Sequence, residues 1–99
     1  MTDIKLELDD KKHGAFYLHE DGKKMGEMVI SIRDNKLTVY HTEVDPAAAG
    51  KGFAGLLLAD MVKYVRDNKL MVVPLCPYVH GQFKRHPDTY QDIWFKENK

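Results

Sequence analysis

The pattern of apolar and polar residues is clearest in the middle of the chain. Between residues 54 and 65, apolar side chains recur three and four residues apart, which predicts one buried face on a helix from about Gly52 to Arg66. Asp67 to Lys69 ends this helix, with Asn68 as a candidate left-handed cap. The predicted buried face consists of Ala54, Leu57, Leu58, Met61, Val62 and Val65.

The residues before this helix alternate in polarity with a period of two, which is typical of half-buried strands. Asp21-Gly22 and Asp34-Asn35 are turn pairs, so the first half of the chain is expected to be an antiparallel meander. Its four predicted strands begin near Ile4, Ala15, Lys23 and Leu37.

The fourth predicted strand leads into the helix and then to a fifth strand. Its apolar residues Leu37 and Val39 alternate with polar ones, and the same alternation puts His41 on their face. Asp45-Pro46 ends this strand, because proline cannot donate a hydrogen bond to a sheet. A short apolar run from Leu70 to Leu75 follows the helix. Strand, helix and strand in sequence form a βαβ unit, so the fifth strand is expected to lie parallel to the fourth.

The C-terminal quarter is expected to hold a short helix from Tyr78 to Arg85, ended by His86-Pro87, and an apolar anchor at Ile93 to Phe95. Residues 1–99 are therefore expected to form one compact domain. Its predicted fold class is α/β in the broad sense, and α+β in the finer classification. We expect a mixed, mostly antiparallel sheet, a central long helix after strand four and a short C-terminal helix.

Composition narrows the classes of function. Fifteen basic and fifteen acidic residues cancel, so charge gives no reason to expect nucleic acid as a partner. Without a membrane-length apolar run or a signal-peptide pattern, no membrane partner is expected and a cytoplasmic location is predicted. The lone Cys76 excludes an internal disulfide and a cysteine-rich zinc site. The five histidines lack metal-binding spacing, so no metal is expected.

The turn Gly50-Lys51-Gly52 between the fourth strand and the helix can come close to a ligand. Glycine carries no Cβ to clash, and the first N–H groups of a helix have no acceptor within the helix. Together with the helix dipole, those N–H groups favour an anion, which makes the turn a candidate phosphate site. The alternative is an ordinary strand-to-helix turn that uses glycine for its geometry.

The segment from Ala49 to Ala54 resembles the acetyl-CoA-binding turn of the GCN5-related (GNAT) N-acetyltransferases. The family motif is Arg or Gln, two residues, Gly, one residue, and then Gly or Ala. Gly52 and Ala54 match its last two fixed positions, whereas Ala49 stands where Arg or Gln is usual. The resemblance implies a GNAT fold and an acetyl-CoA-dependent N-acetyltransferase that acts on a primary amine by direct transfer.

Two further stretches extend the resemblance over most of the chain. Val72 to Val79 with His86-Pro87, together with His41 to Val44, resembles the small, single-domain YidJ-like subfamily. The amine acceptor implied by the family is a small molecule or a protein lysine. The alternative is a non-catalytic acyl-CoA-binding or protein-interaction module on the same fold. Ala49 favours that alternative, because a usual phosphate contact is missing.

The resemblance also implies how the acetyl donor would be held. Backbone N–H groups of the glycine turn would bind its pyrophosphate, and the edge of strand four would pair with its pantetheine arm. Lys51 would add a positive charge near the phosphates or remain a solvated lysine. Tyr78 would line the channel or donate a proton to the departing thiolate. The expected cofactor contacts are Val44, Ala49, Gly50, Lys51, Gly52, Phe53, Ala54 and Tyr78.

Three residues are candidates for the chemistry. The thiol of Cys76 could protonate the leaving thiolate or accept the acetyl group; the alternative is a cysteine that only packs in the core. His41, on the neighbouring strand, is the expected base beside that thiol. Glu43 is a second candidate base, acting through water, and its alternative is an exposed strand residue.

Overall fold

A computed structural model describes residues 1–96. Over that range the chain forms a five-stranded sheet and three helices, with one 3₁₀ turn, Pro46–Ala48, between the fourth strand and the first helix. The elements follow one another as β1 (Thr2–Leu8), β2 (His13–Glu20), β3 (Lys23–Arg33), β4 (Lys36–Val44), α1 (Phe53–Asp67), β5 (Met71–Pro74), α2 (Pro77–Arg85) and α3 (Pro87–Tyr90).

The strands lie side by side in chain order, and each pair is antiparallel except β4 and β5, which are parallel. At Asp21-Gly22 and Asp34-Asn35 both turn residues have a left-handed φ, between 52° and 86°. Turns of this kind match the twist of a hairpin. The predicted α+β arrangement is confirmed, with its mostly antiparallel sheet, long helix after strand four and short C-terminal helix.

Helix α1 packs against β2, β3 and β4 and supplies much of the core. It begins and ends one residue later than the apolar pattern predicts. Phe53 joins the buried face, and Ala54 at its margin is only half-buried. None of the helices in the described part of the chain reaches the length and apolar character that a membrane span requires.

The two ends of the βαβ unit differ from expectation in detail. Asn68 has a φ of −105° and is not left-handed; Lys69 takes the left-handed conformation with a φ of 56°. Helix α3 was not expected from the sequence. The predicted tail anchor is confirmed, because Ile93 is buried and Trp94 forms a parallel bridge with Val72 of β5.

Strand β4 contains one more residue than the part of β3 that it faces. Ile30 pairs with Val39 and Val29 pairs with His41, so Tyr40 has no counterpart in the register. This is a β-bulge, and one extra residue reverses the face to which every later side chain of the strand points.

The bulge decides which β4 side chains reach the core. Thr42 lies opposite the fully buried Met28, so Thr42 is on the core face beyond the bulge. His41 therefore points to the opposite face. The expectation that His41 shares a face with Val39 is wrong, because strict alternation does not survive an inserted residue.

Gly14 allows β2 to come close to the end of β1. A Cβ at Gly14 would lie 1.8 Å from the carbonyl oxygen of Glu7. We expect Gly14→Ala to lower the free energy of unfolding by about 1–3 kcal/mol, because the strands must separate to admit the methyl group.

Gly81→Ala in α2 is the matched control, since a Cβ there meets nothing within 4 Å. Alanine in place of a helical glycine should raise the free energy of unfolding by about 0.5–1 kcal/mol. Urea denaturation of both variants and the unaltered chain measures the two changes. Equal stability of the two variants would contradict this account of Gly14.

Candidate active site

Strand β4 continues past the end of β5. Their last paired residues are Val39 and Pro74, and the Cys76 N–H then donates to the Val39 carbonyl at 2.9 Å. Beyond this point no strand within residues 1–96 pairs with that edge of β4. The outward backbone groups between Tyr40 and Val44 are therefore available to an extended ligand.

The glycine turn before α1 presents backbone N–H groups. Gly50 and Gly52 have φ values of 86° and 75°, a left-handed conformation that glycine adopts without strain. Gly52 is the N-cap of α1, and no side chain caps the helix there. The first N–H groups of α1 thus lack an acceptor within the helix and can bind an anion.

A pocket of about 470 Å³, here called the turn pocket, lies between the end of β4 and this turn. Such a volume is within the usual range for small-molecule sites. The turn pocket brings together the predicted cofactor contacts except Lys51 and Tyr78. It is lined by Val44, Ala48, Ala49, Gly50, Gly52, Phe53 and Ala54.

Positive side-chain charge is scarce around the turn pocket. The Lys51 ammonium lies 3.1 Å from a carboxylate oxygen of Glu20 in β2. Ala49 offers only a methyl group, whereas the family whose turn this segment resembles usually has a basic or amide side chain at that position. Exposed ion pairs are weak, so a bound phosphate can compete with Glu20 for Lys51. Backbone N–H groups are nevertheless the main anion donors here.

Cys76 lies where β4 and β5 separate, as the N-cap of α2. Its side chain is 2% exposed, and its sulfur lies 3.3 Å from the Thr42 hydroxyl oxygen. The predicted contact between His41 and Cys76 is wrong, because the bulge turns His41 away and brings Thr42 to the thiol. Nothing in the sequence marks the bulge, so Thr42 could not be singled out from it.

His41 and Glu43 lie together on the other face of β4. The imidazole Nε2 is 3.8 Å from a carboxylate oxygen of Glu43, and both side chains are exposed. Glu43 also lines a smaller pocket of about 250 Å³, here called the acidic pocket, which shares Val44 with the turn pocket. The acidic pocket is lined by Lys24, Gly26, Glu27, Glu43, Val44, Asp45 and Pro46.

The acidic pocket was not expected, because β3 and β4 bring its residues together from distant parts of the sequence. Glu27 lies directly opposite Glu43 in the register. Lys24 binds Glu27 at 2.7 Å and neutralises one of these charges. Glu43 and Asp45 keep carboxylates next to the end of β4, where they can attract a cation.

Tyr78 lies in the first turn of α2, two residues beyond Cys76, and is half-buried. Burial raises the pKa of its phenol, and the neighbouring Tyr90 and Cys76 raise it further. The phenol therefore keeps its proton at neutral pH and can donate a hydrogen bond.

Comparison with known proteins identifies the family of this chain and structures that share its fold. The model of the family described as GCN5-related N-acetyl-transferase matches residues 15–93. No curated protein matches the sequence.

Solved structures share the fold. A ribosomal-protein-alanine N-acetyltransferase from Brucella melitensis has a TM-score of 0.69 at 16% identity, over 99% of this chain and 94% of that chain. A GCN5-like protein from Staphylococcus aureus has a TM-score of 0.68 at 22% identity, with the same coverage. A GNAT family acetyltransferase from Elizabethkingia anophelis, solved with acetyl-CoA, has a TM-score of 0.60 at 15% identity, over 79% of this chain and 53% of that chain. The GNAT fold expected from the sequence is confirmed.

The contact between Thr42 and Cys76 can be tested by removing the hydroxyl. We expect Thr42→Val to lower the free energy of unfolding by about 0.5–1.5 kcal/mol, because the buried thiol loses its hydrogen-bond partner. Thr38→Val, on the opposite face of the same strand, is the control and should stay within about 0.5 kcal/mol. Thermal and urea unfolding measure both. A Thr42→Val variant as stable as Thr38→Val would mean that the contact does not stabilise the fold.

Proposed function

Because the chain belongs to the GCN5-related N-acetyltransferase family, we propose that it transfers the acetyl group of acetyl-CoA directly to a primary amine. The observation that carries this proposal is the turn pocket, where free N–H groups of α1 meet the unpaired edge of β4. That combination suits a ligand with a phosphate at one end and an extended amide arm at the other. Acetyl-CoA is such a ligand, and it is bound in the structure from Elizabethkingia anophelis.

We propose the following placement of acetyl-CoA. The pyrophosphate binds N–H groups between Gly50 and Ala54, except that of Lys51, which already donates to the Ala48 carbonyl. The pantetheine arm pairs with the edge of β4 as an added strand. The thioester then reaches the point where β4 and β5 separate, next to Cys76. A backbone N–H of the unpaired β4 edge, between Tyr40 and Val44, donates to the thioester carbonyl and stabilises the negative charge that develops there.

The reaction breaks one bond and forms another. The amine nitrogen bonds to the acetyl carbon as the carbon–sulfur bond breaks, and the amine gives up a proton. Glu43 accepts that proton through water, with His41 beside it as the alternative base. The Cys76 thiol donates its proton to the departing thiolate, which leaves as the free thiol of coenzyme A. Tyr78, which keeps its proton at neutral pH, lines the same space as an alternative donor.

The acidic pocket is the proposed acceptor side. It adjoins the turn pocket at Val44, and Glu43 and Asp45 would attract an amine that arrives protonated. The acceptor is a small amine or a protein lysine. We further propose membership of the YidJ-like subfamily, a single domain over residues 1–99 and a cytoplasmic location.

A second function is favoured by the side chains around the turn pocket. Ala49 provides no phosphate contact, and Lys51 is bound to Glu20. Both features weaken an anion site relative to one with a basic side chain, as expected of a non-catalytic acyl-CoA-binding or protein-interaction module. Turnover separates the two functions.

The proposed chemistry is tested by the release of free coenzyme A from acetyl-CoA in the presence of mixed primary amines. We expect turnover in the unaltered protein, and a kcat for Cys76→Ala lower by about 100-fold, because a general acid is lost. Thr38→Val is the control and should turn over normally. An unchanged rate for Cys76→Ala would mean that both proposed roles of the thiol are wrong.

Mass spectrometry distinguishes direct transfer from a covalent intermediate. Incubation with acetyl-CoA alone should leave Cys76 unmodified if transfer is direct. An acetylated Cys76 that then acetylates an added amine would contradict direct transfer and make the thiol the acyl carrier.

A further inference from the structure

The two edges of the sheet differ in whether another segment of the chain pairs with them. On the β5 edge, the C-terminal segment bridges Val72 through Trp94. On the other edge, β1 pairs with β2, and no other described strand lies beside it. The β1–β2 register is regular, and β1 contains neither proline nor glycine. A strand edge of this kind is a template for a further strand.

The hydrogen bonds at the ends of β1 show which backbone groups are free. Asp9 N–H donates to the His13 carbonyl at 2.9 Å, and Asp21 N–H donates to the Met1 carbonyl at 3.1 Å. Bonded and non-bonded pairs alternate along an antiparallel ladder, so the odd-numbered residues of β1 bond to β2. The N–H and C=O groups that point outward belong to Thr2, Ile4, Leu6 and Leu8.

The same even-numbered residues carry the apolar side chains of β1. Ile4 and Leu6 are half-buried and Leu8 is exposed, because α1 packs on β2, β3 and β4 rather than on β1. A groove of about 380 Å³ separates β1 from α1, and the exposed Leu56 of α1 lies on its far side. The bare edge is thus apolar on the α1 side.

The other face of β1 is charged. Lys5 and Glu7 are exposed, and neither forms an ion pair with another described residue. They are two residues apart, so they lie on one face. Asp3 is exposed on the same face, so the strand offers two negative side chains and one positive side chain to a neighbour.

We propose that β1 pairs antiparallel with β1 of a second copy of this chain, with Leu6 of one copy opposite Leu6 of the other. Outward backbone groups then face each other at Ile4, Leu6 and Leu8. On the charged face, Lys5 of each copy lies opposite Glu7 of the other. On the apolar face, Ile4 lies opposite Leu8. The two sheets become one continuous sheet with α1 of both copies on the same side.

Neighbouring registers are less favourable. With Lys5 opposite Lys5, Glu7 lies opposite Asp3, so like charges meet along the whole face. With Ile4 opposite Ile4, Lys5 meets Asp3, but Leu8 is left outside the pairing. The register centred on Leu6 pairs each Lys5 with a Glu7 and also covers Leu8. Its one like-charge pair, Asp3 with Asp9, involves a residue beyond the end of β1.

The proposed interface leaves the candidate active site open. Three strand spacings, about 14 Å, separate β1 from β4. Each copy therefore keeps its own turn pocket, and disruption of the dimer should not change turnover.

Sedimentation equilibrium of the unaltered chain, from about 1 µM to about 1 mM, tests the association. We expect the average mass to rise from monomer to dimer. Lys5→Glu and Glu7→Lys each place like charges opposite one another twice, so each should weaken the dimer by about tenfold. Lys84→Glu, on α2, is the control and should leave the dimer unchanged.

An equimolar mixture of the Lys5→Glu and Glu7→Lys variants tests the partner and the register together. An acidic strand then faces a basic one, so the mixture should form a heterodimer at concentrations where each variant alone is monomeric. An unaltered chain that stays monomeric at about 1 mM would overturn the proposal. A mixture that fails to associate, or a Glu7→Lys variant that dimerises normally, would also overturn it.

Discussion

The candidate site depends on a mismatch in strand length between β4, with nine residues, and β5, with four. A strand edge without a partner must bind water, a ligand or another chain, because buried N–H and C=O groups without hydrogen bonds are costly. The helix between these two strands begins beside the edge that β5 leaves open. The free backbone groups of β4 and those of the α1 N-terminus therefore face one space, the turn pocket.

This arrangement explains how the site can work with little side-chain charge. Ala49 and the Lys51–Glu20 pair leave the turn pocket poor in free cations, yet the backbone donors of Gly52 and the first turn of α1 remain. The side chains that are candidates for the chemistry lie where β4 and β5 separate. There the bulge at Tyr40 brings Thr42 to the buried Cys76 thiol and leaves Glu43 facing the acidic pocket. The Cys76 thiol and the Glu43 carboxylate, our proposed acid and base, thus lie on opposite sides of β4, beside the edge proposed for the thioester.

The sequence predicted the helices and strands well, because their apolar periods are strong and their turns contain Asp, Asn and Gly. The glycine turn could also be located, since its left-handed backbone is one that glycine adopts without strain. The contact of His41 with Cys76 was predicted wrongly, because one inserted residue reverses the faces of β4 and leaves no mark in the sequence. The Lys51–Glu20 pair and the acidic pocket could not be predicted either. They join residues that are distant in the sequence and meet only in the folded chain.

Calorimetric titration with acetyl-CoA, with ATP as the comparison ligand, tests the central claim most directly and needs no knowledge of the amine acceptor. The turn pocket and the β4 edge together predict saturable binding of acetyl-CoA to one site per chain. They also predict much weaker binding of ATP, which has phosphates but no pantetheine arm to pair with β4. No heat of binding with acetyl-CoA at about 1 mM would contradict the cofactor site. Equal binding of the two ligands would contradict the role of the β4 edge.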